Sequence, residues 1–333
     1  MPAPFLCFAD FEFTCGGGIN RWRAEMLSVG LVICDTEFNV VQRFYSTVKP
    51  AKQPKMTALC RELTHLTQEE INLSPDSDAV LSQVEQLLAQ YPTDGMYVWG
   101  NYDQIGLSSD ARMHKKCKLP YQHILKAAGL VVDIQRDLTA KMGLTDAVNI
   151  SELSTAFGFV PENGTFHNAM NDAEGLFVSY KAVYTTDIKQ NDAFQTLCAE
   201  RNAKREAARK AATAKRDALA LSVSLSEEGR TYYEGLMQQE NIKDADHFLR
   251  LRYIAVKAIR KYPNDSAFLI TEVNGRVRAY REFAFPMQMR SPKRKYYCFT
   301  TDTIDRAVIA MIHGEPSIAA SRTTTKQEPI CKP

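Results

Sequence analysis

The sequence has no long run of apolar residues, and it does not begin with a basic segment followed by an apolar stretch and a cleavage site. A membrane-spanning helix needs about 20 predominantly apolar residues, and a secretory signal has the basic-then-apolar order. We therefore expect neither a membrane span nor a signal peptide, and we predict a cytoplasmic protein.

Closely spaced cysteines are missing as well. The chain has eight cysteines, and none of them stands in a C-x-x-C pair. Such pairs are typical of zinc sites, and dense cysteine spacing is typical of small secreted disulfide-rich domains. The sequence therefore argues against a structural zinc site and a disulfide scaffold, and we expect reduced thiols.

The net charge of +2 conceals an uneven distribution of charge. Residues 1–200 carry 16 basic and 24 acidic residues, a net charge of −8, whereas residues 201–333 carry 25 and 15, a net charge of +10. A basic region attracts polyanions such as nucleic acid. A basic helix face can also be merely solvated, so both interpretations of the second half stay open at this point.

Five strands are predicted in the first 185 residues from short runs rich in Val, Phe and Tyr. They lie near Phe5–Phe13, Met26–Asp35, Val40–Val48, Met96–Trp99 and Leu130–Ile134. A helix is expected over Ser74–Tyr91, with Ser74 as its cap and Pro75 in its first position. Three successive strands, followed by strands that alternate with helices, predict an α/β fold with a mixed sheet flanked by helices.

A second region is predicted after Tyr184. The Ala-rich, charged stretch Ala199–Ala220 favours an exposed connecting helix, assigned to residues 186–224. Residues 225–314 are predicted to form a small basic α+β domain, in which Asn274-Gly275 is the turn of a hairpin over Phe268–Phe283. Residues 315–333 lack periodicity and are expected to be disordered. The other elements of the small domain are helices over Glu227–Gln239, Ala245–Lys261 and Thr303–His313 and a strand over Lys295–Thr300.

Two carboxylates interrupt the first predicted strand in the stretch "FADFEF". Residues two apart in a strand point to the same side, so Asp10 and Glu12 project together. Burying an unpaired carboxylate is costly, and two of them at close range favour a hard cation such as Mg²⁺. A salt bridge at the end of a strand is the alternative for this pair.

Two later segments carry further polar residues that fit the same site. Asp103 follows a predicted strand in "YVWGNYDQIGL", although an aspartate at the start of a helix is often just a cap. Asp172 lies at the edge of the apolar face of a helix in "GTFHNAMNDAEGLFVSY", with His167 just before it. A lone histidine there would otherwise be a solvent-facing or capping residue.

Together these residues have the order D-x-E, D and H-x(4)-D, which resembles the DEDDh exonucleases of the RNase H-like superfamily over residues 4 to about 185. The segments "DFEFTC", "LCRELTHLTQEEI" and "WGNYD" are similar to the subgroup of 3′ exonucleases that trim histone mRNA and small RNA. The resemblance implies an RNase H-like sheet in residues 1–185 and release of nucleoside 5′-monophosphates from 3′ ends. The family includes dimers, so a homodimer is one state that the resemblance allows.

The resemblance and the chemistry of phosphodiester hydrolysis suggest the same roles. Asp10, Glu12 and Asp172 are expected to ligate two Mg²⁺ or Mn²⁺ ions directly, with Asp10 bridging them, because these ions prefer oxygen ligands. Asp103 is expected to ligate them directly or through water. Glu12 is also predicted to be a catalytic residue, as a ligand of the ions that act on the phosphate. His167 is expected to be the general base, since the pKa of an unperturbed imidazole lies near neutral pH.

The substrate contacts are predicted in two places. The family usually has Ala where this chain has Phe13, and the residues after the D-x-E motif contact the terminal nucleotide in relatives. Phe13 and Thr14 are therefore expected to touch substrate, although a strand Phe is more often a core residue. Basic residues near aromatic residues in the second half are expected to bind nucleic acid, unless they only protect a sheet edge. These residues are Arg276, Arg278, Lys293 and Arg294.

The sequence thus favours a metal-dependent 3′-to-5′ exonuclease that acts on single-stranded RNA or DNA ends, with RNA favoured. A DNA-trimming or proofreading exonuclease with the same chemistry is the first alternative. A non-catalytic adaptor that binds nucleic acid is the second.

Overall fold

The computed structural model of the chain describes residues 4–19, 22–281 and 295–315. The chain divides into two compact units, residues 1–201 and residues 202–333. Within the described residues, no helix combines the length and the apolar character that crossing a bilayer would need.

A five-stranded mixed sheet is the centre of the first unit. The strands are β1 (Phe5–Phe13), β2 (Met26–Asp35), β3 (Val40–Thr47), β4 (Thr93–Val98) and β5 (Val131–Asp133). Their spatial order is β3-β2-β1-β4-β5. The β1–β2 and β2–β3 pairs are antiparallel, and the β1–β4 and β4–β5 pairs are parallel. The predicted mixed sheet is confirmed, and β1 and β2 have the predicted bounds because both are long apolar runs.

Eight helices of the first unit precede residue 190. They are α1 (Ala58–Thr64), α2 (Gln68–Leu73), α3 (Ser77–Gln90), α4 (Tyr102–Lys116), α5 (Gln122–Leu130), α6 (Gln135–Lys141), α7 (Ile150–Ala156) and α8 (Ala169–Thr185), with short 3₁₀ turns at Glu162–Gly164 and Ile188–Gln190. Helices α3, α4 and α5 pack on one face of the sheet, and α8 packs on the other. The strands of this sheet are therefore covered by helices on both faces, as predicted.

The start of α3 differs from the prediction. The helix begins at Ser77 with Asp76 as its cap, whose side chain accepts the Ala79 N–H at 3.0 Å. Ser74 instead ends α2, where its hydroxyl donates to the Glu70 carbonyl oxygen at 2.7 Å. Pro75 therefore precedes the cap. Ser and Asp are both favoured caps, so local sequence does not distinguish the two positions.

The second unit contains four helices and three strands among its described residues, counting a helix that begins before residue 202. These elements are α9 (Asp192–Ala220), α10 (Glu227–Gln238), α11 (Ile242–Lys261), β6 (Phe268–Val273), β7 (Arg276–Arg281), β8 (Tyr296–Phe299) and α12 (Ile304–His313). The sheet order is β7-β6-β8, with both pairs antiparallel. The predicted small α+β fold is confirmed. The predicted end of the hairpin beyond residue 281 and the tail from residue 316 lie outside the described residues.

The division between the units falls inside α9, later than the predicted boundary at residue 185. The first turns of α9 pack on the first unit, where the Phe194 ring stacks on Phe157 with centroids 5.5 Å apart. Arg201 also donates to the Glu152 carboxylate at 3.0 Å. These contacts assign the start of α9 to the first unit.

A buried ion pair lies in the core of the second unit. Arg252 and Asp305 are fully buried, and the Arg252 Nε donates to the Asp305 Oδ1 at 2.5 Å. The remaining Arg252 nitrogens donate to the carbonyl oxygens of Ala220 and Ser224, while Asp305 Oδ2 accepts the Ser226 N–H at 2.7 Å. The pair therefore joins α11 and α12 to the segment that follows α9.

Candidate active site

Asp10 and Glu12 lie on one face of β1. The alternation of a strand places them on the same side as Phe8, which packs against α8. Phe11 and Phe13 point to the opposite side, towards α3, α4 and α5. The acidic pair therefore faces the layer that contains α8.

Four carboxylates of the first unit lie close enough to raise one another's pKa values. Burial raises the pKa of Asp10 well above its usual range, and the carboxylates of Asp103 and Asp172 raise it further. Burial also raises the pKa of Glu12, with Asp172 and then Asp103 adding to the shift. Like charges act on one another in this way only at close range. The structure therefore brings together the four carboxylates that the sequence predicts as ligands.

Asp172 lies in the first turn of α8. The helix is capped by Asn168, whose side-chain oxygen accepts the N–H groups of Met170 and Asn171 at 3.1 and 3.3 Å. Asp172 Oδ2 accepts the backbone N–H of His167 at 3.0 Å. Its Oδ1 is buried and has no hydrogen-bond partner among the described residues. Burial raises the pKa of Asp172 to about 6, although His167 acts to lower it.

Gly30 allows α8 to come close to the sheet at this point. It pairs directly with Asp10 in the β1–β2 register. A Cβ atom at Gly30 would lie 2.2 Å from the carbonyl oxygen of Ala169, at the start of α8. Any larger residue would push the start of the helix away. The absence of a side chain at Gly30 therefore positions Asp172 near the acidic pair of β1.

Asp103 reaches the pocket from α4, which follows β4. It is 5% exposed and occupies the second position of the helix, after the cap residue Asn101. Burial raises the pKa of Asp103 to about 8. Backbone N–H groups oppose this rise, and the carboxylates of Asp133 and Asp172 add to it. Asp103 is thus a buried member of the carboxylate cluster and not the cap that its position could suggest.

His167 lies at the exposed side of the cluster. Its backbone has φ +62°, which is unusual for a residue other than glycine. The segment before it is held by Asn171, whose side-chain amide donates to the carbonyl oxygens of Glu162 and Thr165 at 3.0 and 2.7 Å. One possible ligand atom from each of Glu12, His167 and Asp172 lies within 4.8 Å of the other two. An exposed imidazole is therefore held beside the partly buried Glu12 and the buried Asp172.

The cluster fits a divalent cation. The neighbours that shift the pKa values of Asp10 and Glu12 are carboxylates, so the described residues around them supply repulsion instead of a counter-charge. Asp172 adds a buried oxygen without a protein partner. Buried charges require pairing or a bound metal, and oxygen ligands suit Mg²⁺ and Mn²⁺. Together these features meet the requirements of such an ion.

The expected contacts of Phe13 and Thr14 with substrate stay predictions, and both side chains are buried. Phe13 is 5% exposed, and a Cβ atom at Gly106 of α4 would lie 2.3 Å from its ring. The buried Thr14 hydroxyl accepts the Glu25 N–H at 3.0 Å. Strand alternation turns Phe13 away from Glu12 and into the core. Both residues therefore have structural roles, and the packing of Phe13 on α4 helps to position Asp103.

The predicted basic contacts belong to the second unit. Arg276 and Arg278 are exposed and alternate along β7 with less exposed residues, so they share one face of that strand. Lys293 and Arg294 lie outside the described residues.

Three residues that support the cluster are Asp133, Asn171 and Gly30, and none of them is among the predicted site residues. The Asp133 Oδ1 accepts the N–H groups of Gly100 and Gln135, both at 2.9 Å, and so holds the turn between β4 and α4. The position of Asp133 at the end of a predicted strand was the sequence feature that could have indicated its role. Asn171 and Gly30 had no such signal, because their roles depend on which segments meet in the folded chain.

Comparisons with known proteins show which family the chain belongs to. Residues 7–177 match the family model RNase_T, described as an exonuclease. Over 85 residues the chain is 32% identical to "ERI1 exoribonuclease 2" of Danio rerio, covering 25% of this chain and 15% of the relative. Over 186 residues it is 24% identical to "Probable 3′-5′ exonuclease KapD" of Bacillus subtilis strain 168, covering 55% of this chain and 86% of the relative.

One similar solved structure is the nuclease domain of 3′hExo, a DEDDh family member bound to rAMP. It has a TM-score of 0.45 and 18% sequence identity, over 54% of this chain and 92% of that chain. The chain therefore spans almost all of that domain but only a small part of the zebrafish relative. Because the family model covers just over half of the sequence, the predicted resemblance is confirmed, and the chain belongs to the RNase_T family of exonucleases.

Proposed function

We propose that this exonuclease is a metal-dependent enzyme that removes nucleoside 5′-monophosphates from the 3′ ends of single-stranded nucleic acid, with RNA favoured over DNA. The observation that carries the proposal is the cluster of four carboxylates, from the partly buried Asp10 and Glu12 and the buried Asp103 and Asp172, beside the exposed His167. The name of the Bacillus relative supports the 3′-to-5′ direction. The name of the zebrafish relative supports RNA as substrate.

Asp10, Glu12, Asp103 and Asp172 would hold two Mg²⁺ or Mn²⁺ ions. DEDDh exonucleases normally use divalent metal ions, and the unpartnered Asp172 Oδ1 supports a ligand role for that residue. Divalent ions bound there supply Lewis-acid activation of the attacking water and neutralise charge on the phosphate.

His167 accepts the proton of the attacking water in this proposal. Its imidazole is exposed and lies beside the carboxylates of Glu12 and Asp172, which stabilise the positive charge that it gains. Asp172 Oδ2 also accepts the His167 backbone N–H, so one carboxylate both orients the histidine segment and faces the cluster. This arrangement supports general base catalysis.

The exposed Arg276 and Arg278 would contact the phosphate backbone of the substrate. Contacts with phosphate add affinity without sequence preference. The contacts of Lys293 and Arg294 with substrate stay predictions. A cytoplasmic location and a homodimer also stay predictions.

The test is digestion of 5′-labelled RNA and DNA of one sequence in Mg²⁺, Mn²⁺ or EDTA. We expect a ladder of products that shorten by one nucleotide from the 3′ end, no products in EDTA, and faster digestion of RNA. Asp10→Asn should remove the activity. The matched control is Glu174→Gln, because Glu174 lies on α8 near Asp172 but pairs with Arg43 at 2.7 Å.

Each part of the proposal can fail separately in this assay. Digestion in EDTA would contradict the metal requirement, and release of labelled mononucleotide as the first product would contradict the direction. Equal or faster digestion of DNA would contradict the preference for RNA and favour the alternative of a DNA-trimming exonuclease.

A further inference from the structure

Two cysteines lie beside the acidic pair of β1 and take no part in the proposed chemistry. Cys15 follows the end of β1 and is partly exposed, whereas Cys60 lies in α1 and is 1% exposed. Both belong to the same apolar contact region, in which Cys15 packs against a buried cluster that includes Cys60, Leu27 and Met56.

One side chain joins the backbones of the two cysteines. The Thr57 hydroxyl donates to the Cys15 carbonyl oxygen at 2.7 Å, and the Thr57 Oγ1 accepts the Cys60 N–H at 3.0 Å. Thr57 is the N-cap of α1, so the start of this helix is held against the residue that carries the Cys15 thiol. A Cβ atom at Gly16 would lie 2.8 Å from the Thr57 Oγ1, which shows how closely the loop approaches the helix.

The Cys60 thiol also contacts the end of β1. Its Sγ donates to the carbonyl oxygen of Phe13 at 3.8 Å, and Phe13 is the neighbour of Glu12. The pairing of β1 with β2 shifts register between these two residues, so this carbonyl lies where the strand is irregular. A change at the Cys60 sulfur would therefore act on the backbone next to a carboxylate of the cluster.

We propose that Cys15 and Cys60 form a reversible disulfide that lowers the nuclease activity of the chain. Hydrogen peroxide is the oxidant. The bond would join the loop after β1 to α1, and it would remove the thiol donor from the Phe13 carbonyl oxygen. The effect on activity rests on the proposed nuclease function, whereas formation of the bond does not.

The reaction proceeds in two balanced steps. The partly exposed Cys15 thiol attacks peroxide, the O–O bond breaks, and Cys15 becomes a sulfenic acid with release of one water. The Cys60 sulfur then attacks the Cys15 sulfur. The S–O bond breaks, and the hydroxyl leaves with the Cys60 proton as a second water. Two thiols are oxidised, and one peroxide is reduced to two waters.

The different surroundings of the two thiols fit this order. Burial raises the pKa of the Cys60 thiol to about 12, and Cys15 and Glu12 contribute to the rise. A buried thiol of this kind reacts slowly with an external oxidant. Cys60 is therefore suited to resolve an oxidised Cys15 and not to react first.

The test treats the full-length protein with hydrogen peroxide and then divides each sample. One portion is digested without reduction and analysed by mass spectrometry for a peptide pair linked through Cys15 and Cys60. The other is assayed on labelled RNA before and after addition of dithiothreitol. We expect the linked pair, at least a fivefold fall in rate, and recovery of the rate on reduction.

Variants separate this bond from general oxidation. Cys15→Ser should lose both the linked pair and the reversible fall in rate. Cys117→Ser is the matched control, because Cys117 is also partly exposed but follows α4, and it should respond like the wild type. Absence of the linked pair would overturn the proposal, as would a linked pair without any change in rate. A reduced protein with no nuclease activity would contradict the proposed function, while the mass spectra would still report on the bond.

Discussion

The carboxylate cluster of the first unit and the buried ion pair of the second unit differ in whether their charges are neutralised by a neighbouring side chain. In the first unit, the buried and partly buried carboxylates of the cluster raise one another's pKa values. In the second unit, the buried Asp305 is paired with Arg252, and both Asp305 oxygens accept hydrogen bonds. A buried charge with its hydrogen bonds made stabilises one arrangement of the chain. Carboxylates that lack a counter-charge instead have raised pKa values, and a bound cation would lower them.

Removing a carboxylate from the cluster is the sharpest way to test this difference, and it has the largest expected effect. Asp172→Asn should lower the exonuclease rate by at least about a thousandfold. It should not lower the melting temperature at pH 7.5 in EDTA, because one of several repelling charges is removed. Steady-state kinetics and thermal unfolding measure the two quantities, with Glu174→Gln as the control. A large loss of stability without loss of activity would reverse our interpretation of the cluster.

The same type of substitution in the second unit should have the opposite consequence. Asp305→Asn leaves Arg252 buried without a counter-charge, which typically costs about 3–5 kcal/mol. Urea unfolding followed by circular dichroism should show this loss in the second unit. The control is Asp302→Asn, since Asp302 is exposed. If Asp305→Asn unfolds at the same urea concentration as the wild type, the buried pair does not stabilise the unit.

The cluster also depends on a close approach that Gly30 permits. Gly30→Ala places a Cβ atom against the Ala169 carbonyl, and overpacking of this kind costs about 1–3 kcal/mol. Displacement of α8 should also lower the exonuclease rate at saturating metal. The control is Gly129→Ala, because a Cβ atom at Gly129 in α5 meets no atom within 4 Å. Wild-type activity in Gly30→Ala would show that the position of α8 is not critical.

The raised pKa values predict how stability changes with pH in EDTA. The folded protein holds protons on Asp172 up to about pH 6 and on Asp103 up to about pH 8, above the values of unfolded Asp. The folded state therefore binds more protons, and its stability should fall as the pH rises from 5 to 8. We expect a melting temperature several degrees lower at pH 8, and a larger stabilisation by Mg²⁺ at pH 8 than at pH 5.

Asp103→Asn provides the check on that pH dependence. It removes the group whose pKa is raised to about 8, so the decline in melting temperature between pH 6.5 and 8 should become shallower. An unchanged slope would assign the pH dependence to other groups.

The smallest effect is expected for the exposed charges of the second unit. Arg276→Ser with Arg278→Ser should weaken binding of single-stranded RNA only several-fold and reduce the slope of log affinity against log salt by up to about two. Filter binding at several salt concentrations measures both. Arg230→Ser, which removes an exposed charge on α10, is the control. Equal slopes in all three proteins would contradict a phosphate contact at β7.

Sequence patterns predicted features that depend on neighbours along the chain. The bounds of β1 and β2 follow from continuous apolar runs, and the shared orientation of Asp10 and Glu12 follows from the two-residue period of a strand. The predicted cap of α3 was wrong, because Asp76, two residues after Ser74, is an equally favourable cap residue. The burial of Phe13 was not predicted, because its proximity to the motif in sequence does not reveal how its ring packs on α4.

The amino-acid sequence by itself determined the elements of this protein, the order of its acidic residues and its membership in a family of exonucleases. Only the tertiary structure decided that the carboxylates of β1, α4 and α8 lie close enough to affect one another's pKa values, that Gly30 and Gly106 allow the helices to approach, and that Arg252 neutralises Asp305. The physical reason is that backbone periodicity and side-chain polarity act over a few residues. Repulsion, close packing and ion pairing depend instead on distances between segments that are far apart in the chain.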